Sequence, residues 1–197
     1  MSTWRSRTAR AVAVAAAAVA ALTLASAAHA STPTASAQAW PSLSEFVADH
    51  VRGGSVPGCR DVTIRSAANG KFVAAELNYA RDFAAMLRAR SDAPGAWEVF
   101  NVCLDGSNST IRSTANGKFV VAELNYGRDV QALLRARSDA PGAWERFTIS
   151  QSCGGGCVTI QSSANGKFVA AELNYGRDVY AMLRARGDTP STWESFV

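Results

Sequence analysis

Three nearly identical stretches decide the fold of this chain: SAANGKFVAAELNYARD at 66–82, STANGKFVVAELNYGRD at 113–129 and SSANGKFVAAELNYGRD at 162–178. A second shared string follows each one and ends in Trp-Glu and a Phe, so the repeats cover residues 62–197. The Asn-Gly pairs and the tryptophans of this string are both spaced by 47 and 49 residues. Repeats of this length bury their apolar faces only by packing on one another. We place the repeats at about 62–108, 109–157 and 158–197.

Each repeat is predicted to contain four short β-strands. The Asn69-Gly70 pair suits a type I′ hairpin turn, and the Pro94-Gly95 pair suits a type II turn. A polar loop is expected between the second and third strands, because the alternation of apolar residues stops there. In the first repeat the predicted strands are 62–66, 71–77, 86–91 and 97–102.

Three units of four strands favour one closed architecture. A propeller commonly needs at least four blades, and a solenoid would need atypical capping repeats at its ends. The arrangement that closes with three units is the all-β β-trefoil: a six-stranded barrel from the first and last strand of each repeat, capped by three hairpins. Its core is expected to contain Ile64, Ile111, Ile160, Leu87, Leu134, Leu183, Phe100, Phe147, Phe196, Trp97, Trp144 and Trp193.

The repeat also resembles a known family. The strings S-x-A-N-G-K-F-V-x-A-E, L-R-A-R-x-D and W-E-x-F resemble the fascin-like β-trefoil family in all three copies. The resemblance implies a binding protein, and in cytoskeletal fascins the partner is the actin filament. Those proteins carry several trefoils in tandem, whereas this chain has one. Fascin-like trefoils of exported bacterial proteins are similar to sugar-binding modules, although the Q-x-W motif of ricin-type lectins is absent here.

The strand order of a trefoil predicts how the four cysteines pair. Cys59 precedes the first strand of repeat one and Cys103 follows its fourth strand, which should be an antiparallel neighbour. Cys153 and Cys157 flank three glycines between repeats two and three. We therefore expect the disulfides Cys59–Cys103 and Cys153–Cys157, as the even count of an exported chain indicates. No metal or other cofactor is expected, because these cysteines and the histidines lack the spacing of a zinc site.

The first thirty residues have the pattern of a secretory signal peptide. Three arginines precede an apolar run at 11–25, and Ala28-His29-Ala30 fits the cleavage signal. The run is shorter than the roughly 20 residues that span a bilayer, so we expect a secreted protein cut after Ala30. Ala27 and Ala37 are alternative cleavage positions. The remaining chain has 17 basic and 16 acidic residues, and this net charge of +1 argues against nucleic-acid binding.

A linker and a short helix are predicted between the leader and the repeats. Residues 31–44 are mostly Ser, Thr, Ala and Pro, which indicates a flexible linker. The following extension, 45–61, is expected to form one short helix that docks on the barrel. Ser42 and Glu45 have the spacing of a capping box, and Gly53 can end the helix.

The polar loop of each repeat is the candidate ligand site. It combines an amide, an aromatic ring, a guanidinium and a carboxylate, which can bind sugar hydroxyls while the Tyr stacks on a sugar ring. The alternative is structural, because Asn and Asp also build turns and Tyr can fold over the barrel rim. The candidates are Asn78, Tyr79, Arg81, Asp82, Asn125, Tyr126, Arg128, Asp129, Asn174, Tyr175, Arg177 and Asp178.

A second repeated set of charges is expected to form ion pairs rather than a ligand site. A glutamate on the second strand of each repeat faces an arginine on the third strand, as a cross-strand pair would. A role for these arginines in ligand contact is the alternative. The predicted pairs are Glu76 with Arg88, Glu123 with Arg135 and Glu172 with Arg184.

The sequence favours a binding module over an enzyme. No Ser or Cys nucleophile has a plausible His partner, since His50 lies in the extension. Paired catalytic carboxylates need one asymmetric cleft, whereas threefold repetition offers three similar sites. We expect a secreted, non-catalytic module that binds a glycan or polysaccharide. The alternatives are a module that binds a filamentous or host-surface protein, such as actin filaments, and a purely structural exported domain.

Overall fold

A computed structural model of the protein describes residues 40–79, 81–176 and 178–197. The predicted leader and most of the predicted linker lie outside these ranges. The described residues form one α-helix and twelve strands, besides short 3₁₀ turns. These are α1 (Leu43–Arg52), β1 (Gly58–Thr63), β2 (Phe72–Glu76), β3 (Met86–Ser91), β4 (Val99–Leu104), β5 (Thr110–Ser113), β6 (Phe119–Glu123), β7 (Leu133–Ser138), β8 (Phe147–Ser152), β9 (Cys157–Ser162), β10 (Phe168–Glu172), β11 (Met182–Gly187) and β12 (Ser195–Phe196).

Six of the strands close into a barrel, as the trefoil prediction requires. β1, β4, β5, β8, β9 and β12 are the first and last strands of the three repeats, and neighbouring strands run antiparallel. The ring closes between the chain's last residue and the first repeat, where Arg65 and Val197 exchange backbone hydrogen bonds of 2.9 and 2.8 Å. Phe147 of β8 donates its N–H to the carbonyl of Ser109, the residue before β5, and so joins the last and first strands of the second repeat.

The six middle strands form three hairpins that cap one end of the barrel. β2 pairs with β3, β6 with β7, and β10 with β11. The inner strands β3, β7 and β11 also pair with one another, so the hairpins meet around a pseudo-threefold axis. The predicted strands are thus present, although β1 and β4 lie a few residues from the predicted ranges.

One apolar core fills the barrel, and phenylalanine rather than tryptophan supplies its largest side chains. Phe100, Phe147 and Phe196 are fully buried, as are the predicted isoleucines and leucines. The three tryptophans are only half-buried, so the prediction that they belong to the core was wrong. Each precedes its Phe by three residues, in the turn outside the last barrel strand, where the ring lies at the protein surface.

Both predicted turn types differ from the structure. Gly70 has φ +69°, but Asn69 is not left-handed, so this is a five-residue turn closed by the N–H of Gly70 on the carbonyl of Ser66 at 2.9 Å. The Asn69 side chain takes a bridging role instead and donates to the carbonyl of Ala89. Gly95 also lacks the positive φ of a type II turn. The N–H of Gly95 donates to the carboxylate of Glu98, and this bond favours a different turn.

The helix α1 forms as its capping signals predict. Ser42 and Glu45 make both bonds of a capping box, and Gly53 ends the helix. The helix begins at Leu43, inside the stretch predicted as linker. It packs three apolar residues into the core and lies beside the β4–β5 and β8–β9 connections, which places it at the barrel end opposite the hairpins. The residues it buries are Leu43, Phe46 and Val47.

Both predicted disulfides are present. Cys59 and Cys103 are directly opposed on β1 and β4, and Cys153 pairs with Cys157 across the β8–β9 turn. The first disulfide fixes the segment after α1 to the barrel. The pairing follows from the strand order, as expected.

Candidate functional site

The predicted site residues lie together around the pseudo-threefold axis, in the three loops that join β2 to β3, β6 to β7 and β10 to β11. We call these the axial loops. Their Asn and Asp residues are exposed and their tyrosines are half-buried. Arg177 lies outside the described residues, as do the side chains of Arg81 and Arg128. The exposed members are Asn78, Asp82, Asn125, Asp129, Asn174 and Asp178.

Each tyrosine of the axial loops is held by an arginine from its own hairpin. The guanidinium of Arg184 lies over the ring of Tyr175, 5.8 Å from its centroid, and donates to its hydroxyl at 2.9 Å. Arg88 with Tyr79, and Arg135 with Tyr126, repeat this stacking at 5.6 Å. These arginines are at most 6% exposed, so each tyrosine ring is held by a buried, desolvated cation.

The same three arginines link the repeats in a ring. Arg88 donates its Nε–H to the carbonyl of Tyr180 in repeat three at 2.7 Å. Arg184 donates to Gln131 of repeat two at 2.8 Å, and Arg135 to Ala84 of repeat one at 2.9 Å. They surround the fully buried Met86, Leu133 and Met182 on the axis. The tyrosines and these arginines therefore stabilise the contacts within and between the repeats. The exposed Asn and Asp side chains are the accessible polar groups of the axial loops.

The predicted ion pair of Glu123 with Arg135 is present at 3.8 Å, but the short bonds of the three glutamates come from a different arginine of each hairpin. Glu76 accepts its charge-assisted bonds from Arg90, two positions beyond the predicted Arg88. A β-bulge is the reason: Phe72 opposes Ser91 whereas Val73 opposes Ala89, which leaves Arg90 as the extra residue of β3. Glu123 with Arg137, and Glu172 with Arg186, repeat the arrangement. Arg135 keeps a longer contact of 3.8 Å with Glu123.

A small pocket lies beside this ion pair, on the flank of the hairpin. It has a volume of about 160 Å³ and places a half-buried indole next to two carboxylates, a guanidinium and a hydroxyl-bearing residue. We call this surface the tryptophan pocket of repeat one. Its lining residues are Ala74, Glu76, Arg90, Ser91, Trp97 and Glu98.

The charged groups of the pocket are fixed by hydrogen bonds. Glu76 is 2% exposed, and its Oε2 accepts from Nη2 of the half-exposed Arg90 at 2.7 Å. Glu98 is also buried, and its Oε2 accepts the backbone N–H of Gly95 at 2.8 Å. The bonds to Glu76 raise the pKa of Arg90 above its ordinary value, with a further contribution from Glu98. The guanidinium is therefore charged at neutral pH.

The other two repeats contain the same ion pair, tryptophan and turn glutamate at the equivalent positions. The equivalent ion pairs raise the pKa values of Arg137 and Arg186, again chiefly through hydrogen bonds to the buried glutamate. The turn glutamates accept the N–H groups of Gly142 and Ser191 at 2.8 and 2.9 Å. The equivalents of Trp97 and Glu98 are Trp144 and Glu145, and Trp193 and Glu194.

Sequence reasoning missed the tryptophan pocket because it assigned the indoles to the core. A signal was present in the spacing, because each Trp stands three residues before a Phe. Side chains three residues apart on a strand point to opposite faces, so only one of the two can point into the barrel.

Other features of the described residues point to no further chemistry. No group of three or more His, Cys, Asp or Glu side chains within residues 40–79, 81–176 and 178–197 is placed to hold a metal ion. In the same ranges, no helix is long and apolar enough to cross a membrane. A groove of about 370 Å³ separates α1 from β8, and His50 and the half-exposed Val51 line it.

Known structures share this fold at low sequence identity. The designed threefold symmetric protein ThreeFoil is 16% identical with a TM-score of 0.57, over 69% of this chain and 95% of that one. The BEL β-trefoil is 13% identical with a TM-score of 0.53, over 69% and 89%. A Polyporus squamosus lectin bound to the epitope Neu5Aca2-6Galb1-4GlcNAc is 17% identical with a TM-score of 0.53, over 70% and 47%.

No protein-family model and no curated protein sequence matches this chain. The fascin-like resemblance therefore stays a prediction. What the barrel, the three hairpins and the structural neighbours show together is that the chain has the β-trefoil fold.

Proposed function

We propose that the protein is an exported, non-catalytic module that binds glycans through its tryptophan pockets. One observation carries the proposal: repeat one presents a half-buried indole beside a turn glutamate and an ion-paired arginine, and the other repeats contain a half-buried Trp, a turn glutamate and the same ion pair. Sugar-sized ligands present an apolar ring face and a rim of hydroxyls, and an aromatic wall with a few fixed polar groups matches both.

The polar groups of the pocket suit hydroxyl recognition. A hydroxyl is both a donor and an acceptor, so it can bridge a carboxylate oxygen and a guanidinium N–H. Arg90 and Glu98 offer this combination, and both are held by bonds to the protein. A preorganised site loses less conformational entropy on binding, which favours affinity for a weakly hydrophobic ligand.

The axial loops are the second contact surface in this proposal. Their tyrosines are fixed by buried arginines, and exposed groups such as Asn78 and Asp82 surround them. Three copies on one molecule allow weak contacts to add through avidity on a polymer.

Non-catalytic action and export are supported by the same structure. The three glutamate pairs lie in similar environments, whereas an acid and a base need environments that separate their pKa values. Two disulfides are typical of proteins from oxidising compartments. The Polyporus squamosus lectin, which shares this fold over 47% of its chain, is bound to a glycan epitope, and this supports the proposal.

Retention on insoluble polysaccharides, combined with a glycan array, tests the proposal. The wild-type protein is expected to be retained by at least one polysaccharide. The triple variant W97A/W144A/W193A is expected to lose retention, because it removes all three indoles. The triple variant N78A/N125A/N174A measures the share of the axial loops, since these exposed side chains can be replaced without opening the core.

Absence of wild-type binding to every polysaccharide and array glycan would overturn the function. Co-sedimentation with actin filaments, without glycan binding, would support the protein-binding alternative instead. The melting temperatures of both triple variants are required as controls, so that lost binding is not lost folding.

A further inference from the structure

The residues that line the tryptophan pocket of repeat one are not all repeated at the equivalent positions of the other two repeats. The wall residue of β2, β6 or β10 is Ala in repeats one and three and Val in repeat two. Two further positions change together in repeat three, where Gly replaces Ser at the end of the inner strand and Ser replaces Gly in the turn. The three sets are Ala74, Ser91 and Gly95; Val121, Ser138 and Gly142; and Ala170, Gly187 and Ser191.

The coupled change moves the turn glutamate of repeat three. A Cβ on Gly187 would lie 2.9 Å from Cγ of Glu194, so this side chain occupies the space that a Ser would fill. Ser191 holds it there, because its Oγ donates to Oε2 of Glu194 at 2.5 Å and its N–H donates to the same oxygen at 2.9 Å.

Repeat one has the opposite arrangement. The Ser91 hydroxyl donates to the carbonyl of Ala93, and its Cβ occupies the place that the Glu194 side chain fills beside Gly187 in repeat three. A Cβ on Gly95 would lie 3.2 Å from Oε2 of Glu98, so a Ser in this turn would press on the carboxylate. The Ser–Gly pair of repeat one and the Gly–Ser pair of repeat three are therefore alternatives, each matched to one position of the glutamate.

The size and charge of the repeat-one pocket limit its ligand. Its volume of about 160 Å³ is well below the roughly 300–1,000 Å³ of sites for drug-sized molecules, so it fits one sugar ring. Two carboxylates and one guanidinium give the pocket a net negative charge. A carboxylated or sulfated sugar would be repelled, whereas a neutral or amine-bearing sugar would not.

The accessible atoms also suit a sugar ring with adjacent hydroxyls. Within the described residues, Oε1 of Glu98 and Nη1 of Arg90 have no protein partner, because the bonds of these side chains use Oε2, Nε and Nη2. One acceptor and one donor beside an indole can bind two neighbouring hydroxyls of a stacked ring.

This inference rests on the proposed glycan binding. We propose that the tryptophan pocket of repeat one is the principal site and that it receives a single neutral or amine-bearing sugar unit. The Gly187–Ser191 pair lowers the affinity of the equivalent surface of repeat three for the same ligand. Val121 narrows the repeat-two pocket, because it adds two carbons to the wall.

Indole N–H signals of the ¹⁵N-labelled protein distinguish the three pockets. Single Trp→Phe variants assign the signals, and the protein is titrated with glucose, galactose, mannose, N-acetylglucosamine, glucosamine and glucuronic acid. At least one neutral or amino sugar is expected to shift the Trp97 signal at concentrations that leave Trp193 unchanged. Glucuronic acid is expected to shift neither.

Exchange variants test the residues that cause the difference. S91G/G95S is expected to weaken the Trp97 response about tenfold, the scale of one lost bond to a charged group. G187S/S191G is expected to give Trp193 a response like that of Trp97, and V121A to do so for Trp144. These exchanges use residue pairs already present in the chain, so each variant has a folded precedent in another repeat.

The outcomes separate this inference from the proposed function. Equal shifts of the three indoles would overturn the inference and leave glycan binding intact. Retention on polysaccharide without any indole shift would also overturn it and would move the site to the axial loops. A lack of both retention and shifts would overturn the two proposals together.

Discussion

At the scale of single residues, each arginine and tyrosine pair of the axial loops has a structural role that the sequence does not separate from a role in ligand binding. Arg184 stacks on Tyr175, donates to its hydroxyl and also donates to Gln131 of another repeat. The Tyr175 ring therefore contributes to the contact between repeats, whether or not it also contacts a ligand. A Tyr→Ala change here would disturb packing, which makes it a poor probe of binding.

Replacing Tyr175 with Phe is expected to lower the free energy of unfolding by about 1.5–3 kcal/mol, the range for a bond to a charged group. Tyr175→Ala should cost more, because the stacked ring is also lost. Denaturant unfolding of both variants measures the two contributions. Tyr180→Phe is the matched control, since this side chain in the same loop is exposed, and no change is expected. Equal losses for Y175F and Y175A would show that the ring contributes nothing.

At the scale of elements, α1 is fixed to the barrel by burial on one face and by charge on the other. Phe46 enters the core, and the guanidinium of Arg60 lies 5.2 Å from its ring centroid. Arg60 also donates to the carboxylate of Asp49 at 3.1 Å, so one residue of β1 contacts the helix twice. Arg52 is the second donor to Asp49.

The stability that Asp49 contributes, through Arg52 of α1 and then through Arg60 of β1, is expected to fall in acid. The hydrogen bond from Arg52, followed by that from Arg60, lowers the pKa of Asp49 below its ordinary 3.8. A lowered pKa stabilises the fold above that ordinary value, and this contribution disappears as the pH falls through the folded-state pKa. The melting temperature of wild type should therefore exceed that of D49N at neutral pH, and the difference should vanish in acid.

A difference between wild type and D49N that stays constant with pH would contradict this origin. Arg52→Ala in the D49N background is the control. It should change little, because its partner carboxylate is already absent.

At the scale of the whole molecule, the fold joins distant parts of the chain. The last residues complete the barrel beside Arg65, and each hairpin binds the loop of another repeat through its arginine. No repeat is complete alone, in agreement with the general behaviour of repeat units. The two disulfides act on this topology very differently, since they close loops with sequence separations of 44 and 4 residues.

Removal of Cys59–Cys103 is expected to destabilise the protein by about 4 kcal/mol, and removal of Cys153–Cys157 by about 2 kcal/mol. The physical reason is that the longer loop restricts the unfolded chain more. Denaturant unfolding of C59S/C103S and C153S/C157S compares them. Equal losses, or a larger loss for the short loop, would show that loop entropy does not govern the difference.

Much of the fold could be predicted from local patterns, although the turn types could not, and the failures at the candidate site both depend on how the strands and turns pack. The capping box of α1, the strand periodicity and the disulfides depend on near neighbours or on strand order, and each was predicted correctly. The partner of Glu76 and the exposure of Trp97 depend on a β-bulge and on which residue of a turn faces inward. Neither is encoded in a period of two, because a bulge interrupts that period.

The sequence by itself determined that this chain is a threefold all-β repeat that closes as a trefoil, because the spacing and the strand patterns leave few ways to bury three incomplete units. Only the tertiary structure decided which repeated side chains are accessible. The repeated tyrosines are held by arginines that also bind a loop of another repeat, whereas Trp97 lines a pocket on the flank of its hairpin. Identical repeats in a sequence cannot show this difference, because exposure is a property of the packed neighbours and not of the residue.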